Sequence, residues 1–114
     1  MSNKIGRKIN KAKKKAKKMG EKAAVNVGQV VANEGTVQVQ VGKALRENPS
    51  TENLGETLVT TGRTQKHLGR SLKAVGRGDM EGAESQGEKA LNKAKKIDLE
   101  KAALAGAELE LIFA

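Results

Sequence analysis

The chain holds one histidine, His67, and no cysteine. A nucleophilic relay needs a serine or cysteine beside a base that a third group orients. Ser71 and Ser85 have only His67 to work with, and no aspartate stands at a spacing that completes a triad. A transition-metal site needs a His pair or a Cys/His cluster, and this chain can assemble neither. His67 itself lies next to Lys66 and near Arg63 and Arg70, on a basic polar stretch that reads as surface. Glu81, Glu84 and Glu88 would place carboxylates on one helical face, and such a row attracts divalent cations. It is better explained as the acidic start of a helix, suited to the positive end of its dipole. The glycine-rich GRGD lacks the lysine-serine/threonine continuation of a phosphate loop. Arg77-Gly78-Asp79 spells an integrin-attachment tripeptide, but a helix stop followed by an N-cap accounts for each residue. No catalytic residue, cofactor or metal is expected, and the chain reads as a non-enzyme.

The chemistry that remains is charge. The formal net charge is +9. Residues 1–20 carry nine lysines and arginines and no acid, while residues 21–114 carry thirteen of each sign. The basic set is Lys4, Arg7, Lys8, Lys11, Lys13, Lys14, Lys15, Lys17 and Lys18. Phosphate backbones bind such residues through charge and counterion release, with little sequence information. No aromatic residue is interleaved to stack on bases. The expected partner is therefore double-stranded or structured nucleic acid, bound without sequence preference. The competing readings are a solubilising tail and a segment that lies on an anionic membrane.

The elements that position this arm follow from periodicity. Within the arm, Ile5, Ile9, Ala12, Ala16, Met19 and Ala23 step by four and three, which is one helical face. Mutual repulsion of the lysines opposes that helix, so the arm is expected to order on an anionic partner. Beyond it, glycine recurs every seventh position, as Gly28, Gly35 and Gly42, and again as Gly55, Gly62, Gly69 and Gly76. A helix-interior glycine costs about 1 kcal/mol relative to alanine, so seven in register imply a compensating role. Two glycine rows let helix backbones approach closely, either against each other in an antiparallel hairpin or against neighbouring subunits. Asn48-Pro49-Ser50 supplies the break, and Ser50 or Thr51 is placed to cap the next helix. Val27, Val30, Val37, Val41 and Ala44 form a stripe on the first helix. Leu54, Leu58, Thr61, Gln65, Leu68, Leu72 and Val75 form one on the second. Residues 25–41 also admit a β-hairpin, with valines alternating around Asn33-Glu34-Gly35. Valine propensity favours the hairpin, and the shared glycine period favours the helix.

The resulting expectation is an all-α chain. It consists of a basic arm (1–20) and a small helical domain (21–114), with helices over about 21–47, 51–76 and 80–112. The third helix carries Ala90, Ala94, Ile97 and Leu104 and ends in Leu109, Leu111, Ile112 and Phe113. Hydrophobic residues make up 37% of the chain, but there is one phenylalanine and no tyrosine or tryptophan. So few large side chains bury little area, which calls for oligomerisation or a surrounding lattice. No apolar run reaches transmembrane length, and the cationic N-terminus lacks the apolar core of a secretory leader. A lysine run can also serve as a nuclear address. The expected function is a non-catalytic structural protein, a minor or internal virion component, because a virus particle supplies both a lattice and enclosed nucleic acid. The alternative is a peripheral membrane protein whose amphipathic helices lie on anionic lipid.

Overall fold

Helix α1 runs unbroken from Ser2 to Arg46, and Asn48 then turns the chain. The computed structural model describes residues 2–113, with side chains for all of these except 2–6, 10, 13 and 16. Asn48 is extended (φ −101°, ψ 125°), as a residue before proline should be, and its Oδ1 accepts from the Ser50 amide at 3.0 Å. A single 3-10 turn, Pro49–Thr51, leads into α2, Glu52–Gly76. Two shorter helices follow, α3 (Met80–Ala94) and α4 (Leu99–Phe113). The described residues form no strand, so the fold is all-α.

α1 and α2 form the antiparallel hairpin, α3 packs on α2, and α4 packs on α2 and against the Pro49–Thr51 turn. α2 is therefore the central element. Its end is built as the sequence suggests. Gly78 adopts φ 75°, and the Asp79 amide returns to the Ala74 carbonyl at 2.9 Å. Asp79 Oδ1 then caps α3 by accepting from the Gly82 amide at 2.8 Å.

Residues 25–41 are helix throughout, as the shared glycine period indicates, and the alternative valine hairpin does not form. The cost of β-branched residues in a helix is a few tenths of a kcal/mol each, and tertiary packing outweighs it. The arm runs into the body without a break, since α1 is continuous from Ser2 to Arg46. Two expectations need correction. The single helix expected over 80–112 is two, because Asp98 Oδ1 accepts from the amides of Glu100 (2.9 Å) and Lys101 (3.2 Å) and starts a new helix. Thr51 occupies the N-cap of α2 but makes no side-chain cap bond, since its hydroxyl donates to the Leu45 carbonyl at 2.7 Å. The open amides of α2 are met from the far end of the chain instead. The Glu108 carboxylate on α4 accepts from the backbone amides of Leu54 (2.6 Å) and Asn53 (3.3 Å) and from Asn53 Nδ2 (3.0 Å).

The core is made of small residues. Among the described side chains, the buried apolar ones are Ala32, Leu54, Val59, Ala83, Ala90 and Ala105. Hydrogen bonds join the layers where bulk is missing. Ser71 Oγ donates to the Ala83 carbonyl at 2.7 Å, and Gln38 Nε2 donates to Thr61 Oγ1 at 2.6 Å.

Candidate polyanion-binding surface and the glycine seam

The seven heptad glycines form the hairpin seam. Gly28 faces Gly69, Gly35 faces Gly62, and Gly42 faces Gly55. The residue numbers of each pair add to the same total, which is the signature of one fixed antiparallel register. A Cβ on Gly28 would stand 2.6 Å from the Gly69 carbonyl oxygen and from the Lys73 amide nitrogen. One on Gly35 would stand 2.6 Å from the Gly62 oxygen and the Lys66 nitrogen. These obstacles are backbone, which cannot step aside by rotating a side chain. Gly76 has no glycine opposite. It faces the Glu21 carbonyl and Val25, where a Cβ would come within 2.7 Å and 2.8 Å. The glycines thus act within one chain, and the alternative of glycine rows facing neighbouring subunits falls away.

The seam fixes where everything else points. The stripes beside it remain open on one side of the hairpin. Val27, Val30, Val37, Val41, Leu68, Leu72 and Val75 are all exposed. A shallow apolar groove between α1 and α2 is lined by Val30, Val37, Val41 and Leu58, with Asn33, Glu34 and Gln38 at its polar edge. Ile9 and Met19 carry the same exposed stripe out along the arm.

α2 ends opposite Glu21, so the first 20 or so residues of α1 project alone, for roughly 28 Å at 1.5 Å per residue. The molecule is accordingly long, 73 × 31 × 20 Å. Arg7, Lys8, Lys11, Lys14, Lys15, Lys17 and Lys18 are exposed on this projection. The side chains of Lys4 and Lys13 lie outside the described residues, as do those of Ile5 and Ala16.

A second basic surface comes from the folded body, which the sequence count treats as neutral. Arg63 and Arg70 on α2, Lys43 on α1 and Lys93 on α3 are all close enough to act on Lys66 of α2. Lys66 is held below the ordinary lysine value, first by burial and then by the positive charges of Arg70, Arg63, Lys43 and Lys93. The opposite case is Lys101, raised by its hydrogen bond to Glu56 and by that carboxylate's charge. The signal in the sequence is the i, i+3, i+7 spacing of Arg63, Lys66 and Arg70, which places them on one face of α2.

The other sequence candidates have structural occupations. His67 Nδ1 lies 2.8 Å from Gln86 Oε1 and joins α2 to α3. Arg77, Gly78 and Asp79 form the α2–α3 turn, and Glu81 sits in the first turn of α3. Comparison with known protein families, with curated proteins and with solved structures found no match.

Proposed function

We propose that this chain is a non-catalytic structural protein that joins a protein assembly to nucleic acid, in the manner of an internal virion component. The observation that carries the reading is the projection of the basic half of α1, as a continuous helix, from a hairpin whose outer face is apolar. A helix clamped at one end by the glycine seam holds its lysines along a straight line. Such a line can follow a phosphate backbone through charge alone. The open valine and leucine face suits a second copy or a host lattice. Its stripes keep a three-four step, the pattern of helices that pack side by side. Glu34 and Gln65 interrupt the apolar residues there, which favours a protein partner of fixed register over hydrocarbon.

One observation favours a second reading. Ile9 and Met19 extend the apolar stripe between the arm lysines, as in a helix that lies on anionic lipid. One experiment separates the two. Duplex DNA and vesicles containing anionic lipid are offered to the full chain at the same physiological salt. The nucleic-acid reading expects duplex binding that hardly varies with sequence. With six phosphate contacts, affinity falls roughly a thousandfold between 50 and 200 mM salt. Retention by the vesicles alone would transfer the assignment to the membrane.

A further inference from the structure

We infer that the cleft between the C-terminal end of α1, α2 and the α3–α4 turn is a binding site for a phosphate group. The cleft is a hollow of about 260 Å³ lined by Arg46 from α1, Arg63 from α2, and Lys96 and Lys101 from the last turn and helix. Val59, 3% exposed, and Ile97 give it an apolar floor.

Two carboxylates also line the cleft, Glu56 and Asp98, and both are engaged. Glu56 pairs with Lys101. Asp98 is turned to the first amides of α4, as described above. Among the described residues, Arg46, Arg63 and Lys96 have no carboxylate at ion-pair distance. Three cations from three separate elements therefore meet around one hollow, and with Glu56 paired to Lys101 only the Asp98 carboxylate offsets them, so the lining stays net positive. Guanidinium groups present planar forks of donors that match phosphate oxygens, and a lysine adds a point charge. The apolar floor removes water from one side of the anion, which strengthens each of those contacts.

The surroundings point the same way. One turn along α2 from Arg63, Lys66 feels the like charges of Arg70, Arg63, Lys43 and Lys93. Placing cations together costs free energy in the unliganded protein, and an anion seated among them relieves it. The site stands apart from the arm, so it does not depend on how the arm is used. A phosphate group reaches it from three sources: a nucleic-acid backbone, a lipid headgroup or a free phosphate compound.

The test uses the full chain and pyrophosphate as the probe. Thermal unfolding is followed during a pyrophosphate titration, against sodium chloride at matched ionic strength. The expected result is a saturating rise in Tm that chloride does not reproduce. The double variant Arg63→Gln, Lys96→Gln should need at least tenfold more pyrophosphate for the same rise. Its Tm without pyrophosphate should be unchanged or higher, since the substitutions remove repulsion and leave the seam intact. A full-length variant with Lys14, Lys15, Lys17 and Lys18 replaced by glutamine should keep the rise. The inference is overturned if the cleft variant responds like the parent, if the arm variant loses the response, or if pyrophosphate does no more than chloride. Duplex DNA and phosphatidic-acid vesicles then identify the source. The one whose affinity falls in the cleft variant carries the phosphate, and for duplex the salt slope should drop by about two. Loss of neither assigns the site to a free phosphate compound.

Discussion

Replacing Gly35 by alanine sets two known effects against each other. In an open helix the change stabilises by about 1 kcal/mol, because alanine is the better helix former. At position 35 the new Cβ would lie 2.6 Å from the Gly62 oxygen and the Lys66 nitrogen, both backbone atoms on α2. Ordinary contact needs about 3.4 Å or more, so α1 and α2 must separate locally by most of an ångström. That shift also loosens the neighbouring pairs Gly28–Gly69 and Gly42–Gly55, because the helices are stiff. Overpacking of this kind costs about 1–3 kcal/mol, and here it falls on backbone, toward the upper end. The net expectation is a loss of about 1–2 kcal/mol, or roughly 4–8 °C in Tm. Gly106 provides the control, since a Cβ there meets nothing within 4 Å. Gly106→Ala should raise Tm by a few degrees. Both are read from circular dichroism at 222 nm during heating and urea titration. A Tm that rises for Gly35→Ala as it does for Gly106→Ala would refute the seam as the cause of the glycine period. Leucine at Gly62 or Gly69 should be more damaging still, with loss of cooperative unfolding.

Glu108→Ala should destabilise by about 1–2 kcal/mol, the usual range for loss of a helix cap, although the residue lies on another helix; urea midpoints measure it. Lys66→Gln should raise Tm at neutral pH and low salt. The folded pKa of Lys66 is lowered, so its charge opposes folding below that pKa, and the opposition is relieved as pH rises toward the unfolded value of 10.5. The gain should therefore shrink at high pH and in 0.5 M salt, and a gain indifferent to both would point to packing instead. Replacing Val30, Val37 and Val41 by serine should lower the native mass of the assembled protein, measured by light scattering, while helicity is kept. Neutralising Lys14, Lys15, Lys17 and Lys18 should cut duplex binding and reduce its salt slope by about three to four, read from fluorescence anisotropy.

The helical class, the turn at Asn48-Pro49, the stop at Gly78 and the cap at Asp79 were all legible in the residues, because each is a local preference of backbone or side chain. The glycine period also told that helices meet closely. It did not tell that the two rows meet each other, since the same rows could have served a neighbour; that choice was made by the turn length and the antiparallel register. The break at Asp98 was visible as a capping residue, but its neighbours keep helical spacing and hid it. Glu108 was out of reach altogether. Nothing about a glutamate near the end of the chain signals that it closes the start of a helix some fifty residues earlier. The valine and leucine stripes form faces, as their spacing says, and only the tertiary structure showed most of their residues turned to solvent while alanine, glycine, Leu54 and Val59 fill the interior. Charge shows the same division. A run such as Lys13 to Lys18 is basic in any conformation, so the sequence alone determined the arm. Arg46, Arg63 and Lys96 stand far apart among balancing acids, and they become a basic cleft only when three elements bring them to one place.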